Sequence, residues 1–430
     1  MENNSFYRKR DGVKNFFLLI LQRLWLTLEL FNKNGLMNHA AACAYGFLLS
    51  AAPALLFISF VVSRILSVPP EVLESMLGQI DFLFGVFDAK NLVINFLSFS
   101  NSGVAGLISV LVIFWATRLC ALSIQRGLGV VFSGARSILK DNIFTLGLGL
   151  LAMFVIIIAL IGLRAGIILL NSVEFMSDIA IAPVLIIAAR IFFMFSLALL
   201  AMAAYRFYPV RHPRFKYIVV GVLACIILYQ IFAAGFAMII SPDRYNLLYG
   251  TLGRLFLFLV NIYFFFVFFF FGGQLINILD FSDAMLFIRL RQVYSEGSQP
   301  KTLFDKLFAT LTKPLKKYHM LYKKGDPIFT INSQGKEVYY ILSGKAGVYL
   351  DNEFKNRISV VNEHNFFGEM ASITLDERAA SIKAETDISV LILPPALFSV
   401  ILHLDPKIDQ SLIKILSQQI KTINQQMQSN

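Results

Sequence analysis

Residues 255–279 read LFLFLVNIYFFFVFFFFGGQLINIL, a run without one Asp, Glu, Lys or Arg. At a helical rise of 1.5 Å per residue, about 20 apolar residues cross the roughly 30 Å hydrocarbon core of a bilayer, and this run is longer. A core helix of a water-soluble protein needs a single apolar stripe, whereas this one is apolar all round. Working outward, five more runs of the kind lie upstream, at 40–66, 102–121, 143–170, 179–205 and 217–240, and Tyr217–Ile240 is also free of charge. The pattern predicts six transmembrane helices over residues 39–283.

Composition supports this. Hydrophobic residues make up 57% of the chain, with 42 Phe and a mean hydropathy of +0.68, where soluble domains sit near about 45–50% even with glycine counted. Residues 1–300 hold 22 Lys+Arg and 14 Asp+Glu, while 301–430 alone hold 16 and 13. Two bodies in two solvents is the simplest reading, with an apolar one first and a water-soluble one after it.

The formal net charge of +11 invites a nucleic-acid reading, but membrane proteins keep Lys and Arg in their cytoplasmic loops. One side of the predicted bundle collects 15 of them, in the N-terminal segment, the loops around 126–140 and 206–216, and Arg289 and Arg291. The other side has only Lys90 and Arg244. Both termini are therefore expected in the cytoplasm, with no nucleic-acid partner. Residues 1–38 are expected to be a cytoplasmic segment in which 16–31 form an interfacial amphipathic helix, because Arg23 and Glu29 interrupt its apolar residues and RKR stands upstream at 8–10. Arg23 also argues against a secretory signal. Cys43, Cys120 and Cys225 each sit in an apolar run and read as small core residues without a disulfide framework.

Arg190 falls near mid-depth of its predicted span, where an arginine costs at least about 2.5–3.5 kcal/mol. No carboxylate lies within any span to offset it. Two readings stay open: a buried arginine tied to backbone or to Asn261 and Gln230, or an intramembrane contact for an anion or lipid phosphate.

Four segments of this half resemble the YihY/BrkB family of inner-membrane proteins: AAACAYGFLLSAAPALL (40–56), SGVAGLISVLVIFWATRLCALSIQRGL (102–128), AAYRFYPVRHPRFKYIVVGVL (203–223) and the YGTLG…GGQL run within 245–275. The resemblance covers about 15–285 and implies a six-helix bacterial inner-membrane domain with an envelope role, often described as transport. Members once carried a ribonuclease label. The five scattered histidines and the lack of a carboxylate cluster give it no support here, and no metal site is expected.

After Asp283 the chain changes character. Residues 284–319 are basic and amphipathic and are expected to be a linker, or a stretch held against anionic lipid. From 320 to 425 the pattern becomes β and then helical. EVYYILSGKAGVYL (337–350) reads as a hairpin turning at Ser343-Gly344, and RISVVN (357–362) and ASIKAETDISVLILP (380–394) add strands. PALFSVILHL and the run after Asp409 have helical spacing. The fold expected is a multi-pass all-α membrane domain followed by an α+β domain, a small barrel or jelly roll with C-terminal helices.

Within it FGEMASITLDERAAS (367–381) places small residues, one carboxylate and one guanidinium on a short turn and helix. Gly368, Ala371, Ala379 and Ala380 would let backbone N–H groups approach an anion, Arg378 offers a two-pronged contact to phosphate oxygens, and Glu369 can accept from a sugar hydroxyl. That pair is what a cyclic nucleotide needs.

The segment resembles the phosphate-binding cassette of cyclic-nucleotide-binding domains, FGE[LM]A…RAA[ST], with the nine-residue interval between Glu369 and Arg378 kept. The resemblance implies a pocket of Gly368, Glu369, Met370, Ala371, Arg378, Ala379, Ala380 and Ser381, with Glu369 on the ribose 2′-hydroxyl and Arg378 on the cyclic phosphate. Ala379 leans the choice towards cAMP over cGMP. Two positions depart from the family, Asn332 in place of a second Gly-Asp turn and His364 in place of a glycine. Leu412, Ile413 or Leu416 could cover the base. The expectation is a transporter or lipid-handling protein regulated by cyclic nucleotide, with a non-transporting receptor or scaffold as the alternative. No enzyme activity is expected, since GxSxG, HExxH and an acidic dyad are all missing from the sequence. A homodimer is the expected assembly.

Overall fold

The computed structural model describes residues 2–60, 118, 121–132, 143, 147, 181–209, 211–239, 242–295, 303–374, 376–405 and 408. They fall into two units, Leu26–Asp280, and Met1–Trp25 together with Phe281–Asn430.

The helices of the first part are α1 (Glu2–Lys33), α2 (Leu36–Phe60), α3 (Ala121–Phe132), α4 (Ile181–Phe207), α5 (Phe215–Ile239) and α6 (Pro242–Asp280). Gly35 ends α1 with φ +61, the left-handed conformation a helix C-terminus favours, and its N–H reaches the Asn32 carbonyl at 3.0 Å. Pro209 and Pro213, neither able to continue a helix, lie in the turn between α4 and α5.

Among the described residues, Phe215–Ile239 and Leu255–Asp280 are long and apolar enough to cross a membrane. Their large exposed residues include apolar ones, with Met238 87% and Ile239 85% exposed. Water would penalise such a surface, and lipid does not. Of the other four spans expected, 40–66 falls partly on α2 and 179–205 on α4, while 102–121 and 143–170 lie almost wholly outside the described residues. Backbone places Arg190 within α4, and its side chain is likewise outside them; Asn261, offered above as its partner, donates to the Leu257 carbonyl of its own helix at 2.9 Å.

Two glycines set how closely α5 and α6 approach. A Cβ on Gly272 would stand 2.5 Å from the Gly221 carbonyl oxygen, and one on Gly221 would stand 2.7 Å from that of Gly272. Small residues of this kind let helix backbones touch where lipid gives no hydrophobic drive for association. Next to them the Tyr205 hydroxyl donates to the Phe269 carbonyl and the two rings stack at 4.9 Å. Tyr205, Gly221 and Gly272 come from two of the motifs quoted above, so those motifs meet at one packing point.

In the second unit, α7 (Ser282–Ser295), α8 (Leu303–Ala309) and α9 (Lys313–Lys316) precede a β-domain. Its strands are β1 (His319–Tyr322), β2 (Pro327–Phe329), β3 (Val338–Ser343), β4 (Ala346–Tyr349), β5 (Arg357–Val361), β6 (Phe366–Phe367), β7 (Ser381–Ala384) and β8 (Ile388–Leu393). They form two antiparallel four-stranded sheets, β1-β8-β3-β6 and β2-β7-β4-β5. α10 (Glu369–Thr374) follows β6 and α11 (Pro395–Leu404) follows β8. Tyr339, Ile341, Ala346, Phe367, Ile382, Ala384, Ile388 and Val390 form the core.

The hairpin expected at Ser343-Gly344 is not one. β3 pairs with β8 and β6, whereas β4 pairs with β5 and β7. The turn carries the chain from one sheet to the other, with Gly344 at φ +92 packed so that a Cβ would meet the Asp387 carbonyl oxygen at 2.5 Å.

Residues 284–319, read from sequence as a basic linker, hold most of α7 together with α8 and α9; α7 packs on the β-domain, and α8 and α9 pack on α7. Phe287 meets the Tyr340 ring edge-on at 5.1 Å and Arg291 lies 3.8 Å from Asp405. Lys317 and the Tyr318 hydroxyl both donate to Asp283, at 2.6 and 2.9 Å.

Candidate functional site

β6 runs straight into Gly368, whose φ of +74 turns the chain into α10. Glycine is needed there twice over, for the left-handed backbone and for room, because a Cβ would lie 2.7 Å from Arg378 Nη1. The chain returns past Arg378 into β7. The Arg378 N–H donates to the Ser333 carbonyl at 3.1 Å and its carbonyl accepts from the Asn332 N–H at 2.9 Å, which pins the residue between two turns.

The guanidinium of Arg378 is 2% exposed. Nη1 donates to the Gly368 carbonyl at 2.7 Å, and Nη2 to the Glu337 carbonyl at 2.9 Å and to its carboxylate at 3.4 Å. The group lies over the Phe329 ring at 4.2 Å, with Tyr339 5.7 Å away. Its Nε is buried and has no hydrogen-bond partner among the described residues. Burial lowers the affinity of Arg378 for its proton, and the charges of Tyr339, Glu337 and Glu369 oppose that.

Glu369 opens α10 and is 6% exposed. Burial raises its carboxyl above the ordinary range, while its own backbone N–H and the nearby Arg378 charge pull it down. The two groups expected to hold the ligand are thus brought into one neighbourhood, each acting on the other's charge.

The remaining expected residues divide. Ala371 is a buried residue of α10, and Met370 and Ala380 are half-buried. Ala379 is exposed. Ser381 is fully buried and its hydroxyl accepts from the Ile331 N–H at 2.9 Å, so it fixes the neighbouring turn. Leu412, Ile413 and Leu416 lie outside the described residues. The two departures take up the role of the residues they replace: Asn332 has φ 62 and His364 φ 64. Both side-chain types enter the left-handed region more readily than most.

Sequence reading missed Glu337, Phe329, Tyr339 and Gly335. Tyr339 stood in the quoted 337–350 segment without being read as a site residue. Glu337 is a lone acid just before β3, and nothing in its spacing marks it. A Cβ on Gly335 would meet Arg378 Nη2 and Glu337 Oε2, each at 3.2 Å.

Chemically this arrangement can receive an anion that also carries a hydroxyl. A buried guanidinium with one N–H unsatisfied calls for an acceptor. A phosphate oxygen can take Nε and replace the carbonyls now on the Nη atoms, and the Glu369 carboxylate can accept from a sugar. The residues fit a cyclic nucleotide. Among the described residues no cluster of His, Cys, Asp or Glu could hold a metal ion.

The profile of the virulence factor BrkB family matches residues 27–282, more than half of the chain, and that of the cyclic nucleotide-binding domain matches 319–404. Solved structures similar to the chain include the catabolite activator protein of Thermus thermophilus, 23% identical with a TM-score of 0.24, covering 25% of this chain and 52% of that one. A cAMP-bound form of an EAL enzyme is 24% identical with a TM-score of 0.21, covering 26% and 30%. A transcriptional regulator from Thermotoga maritima is 15% identical with a TM-score of 0.23, covering 25% and 87%. The chain spans about half of the first of these and less of the second. No curated protein matches it.

Proposed function

We propose that this chain, which belongs to the virulence factor BrkB family and carries a cyclic nucleotide-binding domain, is a bacterial inner-membrane transporter or lipid-handling protein whose conformation is set by cAMP. Both termini face the cytoplasm in this reading, so the β-domain samples the cytoplasmic nucleotide pool. The observation that carries it is the Arg378–Glu369 pair: two buried, oppositely charged groups, with the guanidinium Nε unsatisfied.

Regulation requires the ligand to favour one state over the other. Arg378 supplies the difference. It ties the Gly368 carbonyl to the Glu337 backbone, and a bound phosphate competes for the same N–H groups. Exchange of partners frees the turn at Gly368. Ala379 offers no hydroxyl to the base, which favours adenine over guanine.

Calorimetry of the full chain in nanodiscs, titrated with cAMP, cGMP and a cyclic dinucleotide, tests the reading. Binding of cAMP that Arg378→Ala abolishes supports it, and no heat from any nucleotide refutes it. A flux assay in liposomes then separates a transporter from the alternative, a receptor or scaffold.

A further inference from the structure

Helix α1 has two differently occupied faces. On one, Gln22 is 2% exposed and its side-chain amide donates to the carbonyls of Leu307 and Thr310 at 2.8 and 3.3 Å, while its oxygen accepts from the Thr312 hydroxyl at 2.9 Å. Trp25 stacks on Phe304 with centroids 3.6 Å apart, and Arg23 Nε donates to the Ser282 hydroxyl at 3.0 Å. The N-terminal helix is thereby fastened to the helices that lead into the β-domain, nearly 300 residues further along the chain.

On the other face apolar side chains stand open: Phe17 at 68%, Ile20 at 37%, Leu21 at 44%, Leu24 at 40% and Leu28 at 48% exposure. Successive residues turn by about 100° around a helix, so these five fall within one stripe roughly 100° wide. An apolar stripe of this length does not suit water.

We propose that this stripe lies in the headgroup boundary of an anionic leaflet, making α1 a strap that holds the helical base of the nucleotide-binding unit against the membrane surface. Two observations select lipid as the occupant. Arg8, Lys9, Arg10 and Lys14 precede the stripe on the same helix and complement acidic headgroups. Only Asn34 and Gly35 separate α1 from α2, which carries the first apolar run of the chain, so the stripe belongs to the helix that leads directly into that run. The proposal rests on membrane residence and is independent of which nucleotide binds.

The test uses the full chain in nanodiscs with p-benzoylphenylalanine placed at Phe17, at Leu24 or, as a control on the exposed β-domain, at Glu363. After irradiation, a lipid mass adduct is expected at 17 and 24 and none at 363. Its yield should fall at least threefold when phosphatidylglycerol discs are replaced by phosphatidylcholine. A chain–chain cross-link in place of the lipid adduct, no cross-link at 17 or 24, or equal yields in both lipids overturns the proposal. Comigration of the chain with the discs reports membrane residence separately, so a negative result here leaves the family assignment intact.

Discussion

Arg378 Nη1 donates to the Gly368 carbonyl oxygen at 2.7 Å, so the cation of the candidate site is held by the residue that begins the turn into α10. In the proposed reading, that bond is one a phosphate replaces.

Replacing the guanidinium removes every contact at once. A charged hydrogen bond contributes about 1.5–3 kcal/mol, which corresponds to a loss of at least tenfold in affinity. Arg378→Ala is expected to weaken cAMP by that much or more, and Arg378→Lys to recover little, because an ammonium cannot make the forked contact. Calorimetry on both variants checks this.

Glu337 competes with the ligand. Its carboxylate, half exposed, stands 3.4 Å from Nη2. Half-exposed pairs contribute little, about 1 kcal/mol at most. Glu337→Gln should therefore raise cAMP affinity by only about two- to fivefold, and the gain should shrink in high salt. A loss of affinity would show that Glu337 supports the ligand.

The buried acid predicts a conflict between stability and binding. Burial raises the Glu369 carboxyl above its ordinary value of 4.5, so folding favours the protonated form. Its stabilising contribution is complete at low pH and is lost as the pH rises through the raised value. Glu369→Gln should thus melt higher than the parent at neutral pH, with the gap closing towards pH 4.5, while binding cAMP more weakly. Melting curves across pH with matched titrations test both halves. A melting temperature lower than the parent's at neutral pH would contradict the account.

The helix crossing can be probed with an internal control. Gly221→Ala and Gly272→Ala place a methyl group against backbone, an overpacking that costs about 1–3 kcal/mol. Gly235→Ala lies on the same helix as Gly221 with nothing within 4 Å of the new atom. Detergent melting temperatures should fall for the first two and hold or rise for the third.

The strands at 338–343, 357–361, 381–384 and 388–393 were legible because each is a run rich in β-branched and aromatic residues, and the 367–381 segment stood out by a Gly after paired aromatics and an acid and a base at fixed spacing. The destination of Ser343-Gly344 was not, since a turn joining neighbouring strands and one switching sheets use the same residues, and pairing with β8 and β7 decides between them. Nor could Glu337 be found, because it reaches Arg378 through a turn rather than through sequence spacing. The packing of 282–316 was hidden for a related reason. Its partners Tyr340, Phe366 and Asp405 lie far along the chain, and a basic amphipathic stretch looks alike on lipid and on protein.

The contact of Gly221 with Gly272 limits the movements open to α5 and α6. With two backbones in touch, lengthwise sliding would drive Ile218 or Cys225, buried one turn away on the same face, into the opposing main chain, because those residues carry the bulk that the glycines lack. Rotation about the crossing leaves the contact intact. Any working cycle that uses this pair therefore opens like scissors about a fixed pivot, with the largest displacement at the helix ends.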